Sequence, residues 1–94
     1  MLSFIPAKLP KIYKEDIKIY PNPATNQTTI TYPLLNSEGE LLLYNMLGQI
    51  VYEEKLVEGS SYTKLNLQNY KAGLYKVLLR ENGIIKGEGS VVKE

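Results

Sequence analysis

The fold is decided by two apolar stretches in the second half of the chain: LLLYNMLGQIVY at residues 41–52 and LNLQNYKAGLYKVLL at residues 65–79. Both are rich in leucine, valine and tyrosine and are interrupted by asparagine and glycine, which favour turns. Neither contains a typical catalytic side chain. Together they indicate a β-rich domain that is recognised by other molecules rather than one that carries out a reaction.

The composition fits a single small β domain. The 94 residues include eight tyrosines and one phenylalanine but no tryptophan, and a chain of this size can bury enough apolar surface to fold as one unit. Eleven basic and ten acidic residues give a net charge of +1. Because the two signs are interleaved, no positive stripe is expected to follow a phosphate backbone, and nucleic acid is not an expected partner.

Few residues are available for metal, cofactor or disulfide chemistry. The chain contains neither cysteine nor histidine, which excludes disulfides and thiolate zinc sites, and it lacks the Asp-x-Asp pattern of calcium loops. We therefore expect no cofactor and no bound metal. No apolar run approaches the roughly 20 residues of a membrane helix, so we expect a soluble domain that does not span a membrane.

Residues 1–16 differ from the rest of the chain. They contain Pro6, Pro10 and five charged residues without a clear period, a composition typical of a linker. No basic segment precedes the apolar start, so a signal peptide is not expected. We assign residues 1–16 to a linker or leader and residues 17–94 to the domain, which we expect to be part of a longer protein.

Seven short segments show the features of strands. They are residues 17–20, 28–32, 40–44, 49–56, 62–67, 74–80 and 84–92. Strands at intervals of about 10 residues, with no helical period, are typical of an antiparallel β-sandwich. Residues 41–44 and 74–79 are apolar on both faces, which favours central positions in a sheet over an outer face that binds a partner.

Several asparagines and glycines predict turns or irregularities. Residues 36–39 and 45–48 both place asparagine first and glycine fourth, as type I turns prefer. Asn82-Gly83 predicts a type I′ hairpin, in which both central residues need a positive φ. Gly87 and Gly89 are expected to weaken or bulge the last strand.

Catalytic groups are scarce. The single aspartate, Asp16, lies in the predicted linker, and no side chain has an ordinary pKa near neutrality. Glu53 and Glu54 would point to opposite faces of a strand and cannot converge as a carboxylate pair. We therefore expect no catalytic residues and no enzymatic activity. The strand tyrosines leave a carbohydrate-binding face open, although such residues usually pack across neighbouring strands.

A set of motifs resembles the C-terminal sorting domain of the type IX secretion system. The set consists of Tyr20-Pro21-Asn22-Pro23, the Asn-x-x-Gly-Gln turn that ends in Gly48-Gln49, Leu65-Asn66-Leu67, Gly73-Leu74-Tyr75, and Val92-Lys93 near the chain end. These motifs occur in the order and spacing of that family over about residues 17–94. Any one of them is a weak signal, but the set is fairly specific.

The resemblance implies an Ig-like sandwich of about seven strands at the C-terminus of a larger cargo protein. Family members direct cargo, brought to the periplasm by an N-terminal signal, across the outer membrane of certain Gram-negative bacteria. The implied partners are the translocon, its shuttle proteins and a surface sortase that commonly removes the domain and attaches the cargo to lipopolysaccharide. The implied location is the cell surface or the medium, and the chain would be the signal in this process.

Candidate recognition residues follow from the same motifs. They are Tyr20, Pro21, Asn22, Pro23, Gly48, Gln49, Gly73, Tyr75, Val92 and Lys93, to which we add Gly89. We hypothesise that the terminal strand at residues 84–92, loosened by its glycines and offering an edge, is the recognition element. The alternative is an Ig-like structural, adhesive or carbohydrate-binding module attached to a secreted enzyme, which fold alone does not separate from a sorting domain.

Overall fold

The computed structural model describes residues 17–94, which form seven strands and no helix. The strands are β1 (Lys18–Tyr20), β2 (Gln27–Thr31), β3 (Gly39–Tyr44), β4 (Ile50–Leu56), β5 (Tyr62–Asn66), β6 (Gly73–Glu81) and β7 (Ile84–Lys93). Every strand that the sequence predicts is present, with its ends within one residue of the predicted bounds. The predicted linker at residues 1–16 lies outside the described residues.

The strands form two antiparallel sheets that face each other. One sheet has the order β1-β2-β5 and the other the order β4-β3-β6-β7. Alternate residues of both sheets point into a shared core, whose members include Ile30, Leu41, Leu43, Leu65, Leu67, Tyr75, Val77, Leu79 and Val91. Burial of each large apolar side chain stabilises the fold by about 1.5–3 kcal/mol. The predicted antiparallel β-sandwich is confirmed.

The two strands that are apolar on both faces occupy the centre of the larger sheet. β3 lies between β4 and β6, and β6 lies between β3 and β7. Leu42 points away from the core, yet it is only 1% exposed. It pairs with Glu53 on one side and Leu78 on the other, so neighbouring side chains cover it. The prediction of central positions is therefore confirmed.

Two of the predicted turns are present as expected. Asn82 and Gly83 have φ values of 53° and 80°, the positive values that a type I′ hairpin needs. In the turn after β3, the Gly48 N–H donates to the Asn45 carbonyl at 3.0 Å, and Gly48 has a φ of 80°. These local patterns determine where β3 meets β4 and where β6 meets β7.

The type I turn predicted at residues 36–39 is wrong. Gly39 is the buried first residue of β3, and it pairs with Leu56 and Glu81. A Cβ at this position would lie 2.5 Å from the carbonyl oxygen of Arg80. Glycine is therefore required here for the close approach of two strands, and the tertiary contact overrides the turn signal.

The bulge expected in the last strand is present beside one of its two glycines. Leu79 pairs with Gly87 and Arg80 pairs with Ile85, so the extra residue of the bulge is Lys86. Gly87 and Gly89 both lie in the paired part of β7. The predicted bulge is therefore confirmed, and it lies at the residue before Gly87.

Among the described residues, no helix has both the length and the apolar character that a membrane crossing requires.

Candidate recognition surface

One end of the sandwich collects most of the predicted recognition residues. The last residue of β3 pairs with Lys76 near the start of β6, and Gly73 pairs with Lys93 at the end of β7. The turn at residues 45–49 therefore lies at the same end of the sheet as the start of β6 and the end of β7. The corner between β1 and β2 joins this end through a bridge between Ala24 and Lys93. We call it the motif end.

The structure separates the candidate residues into two groups. Those at the motif end are Tyr20, Pro21, Asn22, Pro23, Gly48, Gln49, Gly73, Val92 and Lys93. Two others lie further along their strands: Tyr75 is buried in the core, and Gly89 faces β1.

The chain runs into the domain at the opposite end. Lys18, the first residue of β1, pairs with Thr31 at the end of β2, and Thr31 also pairs with Tyr62 at the start of β5. The β6–β7 hairpin turn at Asn82-Gly83 lies at this far end as well, since β6 runs away from the motif end. A segment that precedes β1 therefore joins the domain at the end opposite the motif end.

The Pro21-Asn22-Pro23 corner covers part of the free edge of β7. The side-chain amide of Asn22 donates to the Ser90 carbonyl at 2.9 Å, and its oxygen accepts from the Val92 N–H at 2.9 Å. One side chain thus supplies the donor and the acceptor that a neighbouring strand would supply. Because an uncovered edge is a template for pairing with another chain, this contact shields the edge.

Backbone bonds continue the cover to the end of the chain. The Ala24 N–H donates to the Val92 carbonyl at 2.8 Å, and the Glu94 N–H donates to the Ala24 carbonyl at 2.8 Å. Ala24 itself is fully buried. The corner is anchored to β2, because the Thr28 hydroxyl donates to the Pro21 carbonyl at 2.9 Å. Residues 90–94 are therefore tied to the corner.

Gly89 provides room for the first strand. A Cβ on Gly89 would come within 3.0 Å of the Ile19 side chain and 3.4 Å of the Ile17 side chain. Both isoleucines pack against the core cluster. Gly89 thus has a packing role in the contact between β1 and β7.

The 45–49 turn is fixed by its own polar groups. The Asn45 side-chain oxygen accepts from the N–H groups of Leu47 at 2.9 Å and Gln49 at 3.0 Å, and its amide donates to the Gln49 side-chain oxygen at 2.8 Å. The Asn45 N–H donates to the Gln49 carbonyl at 3.0 Å. Asn45 therefore organises this motif, although the sequence motifs point only to Gly48 and Gln49 as candidates. The asparagine at the first position of the predicted turn is the signal that identifies it.

Tyrosines hold the connection before β6. The Tyr75 hydroxyl donates to the Lys71 carbonyl at 2.7 Å, and the rings of Tyr70 and Tyr75 meet edge to face at 5.8 Å. The Tyr70 hydroxyl donates to the Val51 carbonyl at 3.3 Å, which links this connection to β4. Burial, together with the nearby Tyr75, raises the pKa of Tyr70. Tyr75 of the Gly-Leu-Tyr motif therefore acts as a structural brace.

The tyrosines of the strands do not form one exposed platform. Tyr32 and Tyr75 are buried, whereas Tyr20 and Tyr62 are exposed at opposite ends of the three-stranded sheet. The Tyr52 hydroxyl donates to the Glu54 carboxylate at 2.6 Å, and this bond, with burial and the nearby negative charge, raises the pKa of Tyr52 to about 12. Tyr52 is thus a neutral phenol at physiological pH.

A buried carboxylate lies at the far end. Glu81 accepts from the N–H groups of Asn36 at 2.6 Å and Ser37 at 2.9 Å, and Lys86 approaches its other oxygen at 3.5 Å. Burial alone would raise the pKa of Glu81, but these donors and the lysine outweigh burial and lower it. Glu81 connects the β2–β3 segment to the β6–β7 hairpin, a role that its sequence context did not indicate.

Comparison with known proteins places this fold and these motifs in a family. Residues 18–93 match the family described as "Secretion system C-terminal sorting domain". A curated relative is ulvan lyase NLR42 of Nonlabens ulvanivorans, which is 32% identical over 66 residues. The matched segment covers 70% of this chain and 12% of the lyase, so the chain spans only a small part of the length of that relative.

A solved structure has the same architecture. It is that of a DUF3244 family protein with an immunoglobulin-like β-sandwich fold from Bacteroides vulgatus, with a TM-score of 0.64 and 19% sequence identity. The alignment covers 89% of this chain and all of the other. This likeness confirms the predicted Ig-like sandwich. With the family match extending from the start of β1 to the end of β7, the protein belongs to the C-terminal sorting domains of the type IX secretion system, which mark proteins for secretion across the outer membrane to the cell surface or the extracellular space.

Proposed function

We propose that this chain is the C-terminal export label of a larger cargo protein and that a cell-surface sortase removes it after transport. In this role it is the substrate of the export machinery and has no catalytic activity of its own. The family match supports the sorting role, and the ulvan lyase contains a similar segment within a much longer protein. The partners are the outer-membrane translocon, its shuttle proteins and the sortase.

The observation that carries the proposal is the opposed placement of the motifs and of the point where the chain runs into the domain. The motif residues of β6, β7 and the Pro21-Asn22-Pro23 corner lie at one end. β1 begins at the other end, where Lys18 pairs with Thr31. A cargo domain joined upstream of β1 would leave the motif end accessible to a partner.

Export of a reporter tests the proposal. The chain is fused to the C-terminus of a periplasmically targeted reporter, in a bacterium with a type IX system, and reporter activity is measured in the medium and on intact cells. We expect export with the domain, none without it, and none in a host that lacks the translocon. Retention of the complete fusion in the periplasm of the competent host would contradict the sorting role.

Sortase removal is tested in the same cells. The mass of the exported reporter should correspond to loss of the domain in a host with the sortase and to the intact fusion in a host without it. An intact fusion at the surface of both hosts would show that the domain directs export but is not removed.

A further inference from the structure

We propose that the tip of the β3–β4 hairpin, formed by Met46, Leu47 and Ile50, docks into an apolar concavity of a protein component of the export machinery. This inference rests on the proposed function and specifies which part of the domain that partner contacts. It replaces the edge of β7 with the hairpin tip as the main recognition element.

The tip exposes large apolar side chains that a monomer gains nothing by exposing. Met46 is 66% exposed, Leu47 is 81% exposed and Ile50 is 51% exposed. Met46 and Leu47 lie in the turn and Ile50 is the first residue of β4, so the three side chains project from the tip of one hairpin. We call this convex apolar tip the knob. Clustered exposed apolar residues are typical of interaction sites.

The backbone N–H groups of the knob can be buried against an apolar partner without losing their hydrogen bonds. The N–H groups of Leu47, Gly48 and Gln49 are all bonded within the turn, to the side chain or carbonyl of Asn45. A partner pocket therefore does not have to satisfy these donors. Burying a polar group without a bond is costly, whereas a turn that bonds its own groups avoids this cost and is already rigid before binding.

An apolar groove continues from the knob onto the outer face of the sheet. It has a volume of about 330 Å³ and is lined by residues that include Tyr44, Met46, Lys76, Leu78 and Glu88. The knob and the groove together provide a convex and a concave element side by side. Such a surface has a defined shape, which a protein partner can match.

Charge favours a protein over a lipid surface. No charged residue occurs between Glu40 and Glu53, and the groove beside the knob has one basic and one acidic residue, Lys76 and Glu88. Segments that bind anionic membranes normally combine apolar side chains with clustered lysine or arginine. The neutral knob, with no tryptophan, lacks that combination.

The edge of β7 is the less suitable surface. The side chain of Asn22 and the backbone of Ala24 already occupy the hydrogen-bonding groups of Ser90, Val92 and Glu94. A partner that added a strand there would first have to displace the corner. The knob needs no such rearrangement, and it lies at the motif end, opposite the start of β1.

The decisive comparison is between two double variants in the exported reporter fusion. Met46→Ser/Leu47→Ser removes the knob, and Val57→Ser/Ile84→Ser removes two side chains of similar exposure, 70% and 63%, at the far end. We expect export of the knob variant to fall about tenfold or more, as for the loss of a central apolar anchor. The control variant should be exported like the wild type.

The outcomes separate this inference from the proposed function. Undiminished export of a knob variant, with the wild type exported, overturns the inference and leaves the sorting role intact; failure of the wild type contradicts the sorting role itself. Thermal melts of the purified domains check folding. Should the double variant melt early, Leu47→Lys keeps the turn bonds and places a charge on the knob, and it must also block export; normal export of this variant overturns the inference.

Two further measurements test whether the knob binds lipid or a second copy of the domain instead. The purified domain is mixed with vesicles of phosphatidylcholine, alone or with an equal amount of phosphatidylglycerol, and its sedimentation is followed. We expect no co-sedimentation; binding that Met46→Ser/Leu47→Ser abolishes would assign the knob to lipid. Analytical ultracentrifugation should show a monomer, and a dimer that the same variant dissociates would assign it to a second copy. Either result overturns the proposal.

Discussion

At the scale of single residues, two polar side chains join segments that are far apart in the sequence. Glu81 binds residues 36 and 37, and Asn22 binds residues 90 and 92. Each side chain makes two hydrogen bonds to backbone groups of the distant segment. Their effects on stability should therefore exceed those of ordinary surface residues.

Glu81→Gln should destabilise the domain in a pH-dependent way. The lowered pKa of Glu81 means that its stabilisation is complete above the glutamate pKa of the unfolded chain, about 4.3, and is lost as the pH falls through the lower folded-state pKa. We expect a loss of about 1.5–3 kcal/mol at neutral pH, as for hydrogen bonds to a charged group. Urea unfolding at neutral and acidic pH measures it.

The matched control is Glu53→Gln, an exposed glutamate of β4. It should change stability by less than about 0.5 kcal/mol. If Glu81→Gln destabilised the domain as much at pH values well below 4 as at neutral pH, the stabilisation would not come from the charge of the carboxylate.

Asn22→Ala should weaken the attachment of the corner to β7. It removes one bond to the Ser90 carbonyl and one from the Val92 N–H, at a net cost of about 0.5–1.5 kcal/mol each. In this variant, hydrogen exchange at the Val92 amide should become faster than in the wild type. Exchange at the Leu41 amide, in the central strand, should not change. Asn22→Asp, which keeps the acceptor but not the donor, should protect Val92 better than Asn22→Ala does; equal exchange in all three proteins would contradict this role.

At the scale of elements, close contacts between strands determine which glycines can be replaced by a larger residue. The backbone carbonyl of Arg80 lies 2.5 Å from a Cβ placed on Gly39, whereas the first obstacle at Gly89 is the end of a flexible isoleucine side chain. A backbone atom of a central strand cannot move without disturbing the ladder, but an isoleucine terminus can. The two glycines therefore differ in what they tolerate.

Gly39→Ala should destabilise the domain by about 1–3 kcal/mol or more, in the range of overpacked cores, because β3 and β6 must separate locally. Gly89→Ala is the matched comparison, and its loss should be smaller because only Ile19 and Ile17 need to shift. Chemical denaturation of both variants measures the difference. A larger loss for Gly89→Ala would show that the contact between β1 and β7 is the more rigid of the two.

At the scale of the whole molecule, the terminal strand belongs to the fold as well as to any recognition. Val91 is fully buried in the core, and residues 90–94 are bound to the Pro21-Asn22-Pro23 corner. Removing residues 89–94 should therefore lower the melting temperature by more than about 12 °C or abolish the cooperative transition. Circular dichroism melts measure this effect.

That deletion cannot by itself identify a recognition strand, because an unfolded domain would also fail to be exported. Val92→Ser is a milder companion, since this side chain is 39% exposed and points away from the core. We expect it to leave the melt and the export of the reporter nearly unchanged. Loss of export with an unchanged melt would return the main recognition role to β7.

The strands and two of the turns were predictable because their determinants are local. The alternation in residues 62–66, the apolar run at 41–44 and the Asn82-Gly83 pair each specify a conformation within a few residues. The family motifs were also readable, since they are short sequences in a regular order. Their physical roles were not, since only the structure shows that Asn22 bonds to the edge of β7 and that the Tyr75 hydroxyl bonds to the Lys71 carbonyl.

The sequence by itself determined the β class, the strand bounds, the tight hairpin turns and the family. Only the tertiary structure decided that Asn22 covers the edge of β7, that Glu81 holds the far end, and that the motifs gather opposite the start of β1. These contacts join residues 44 to 70 positions apart. No local pattern encodes such pairs, because each depends on how two sheets are placed together, and that placement follows from burial of the whole core.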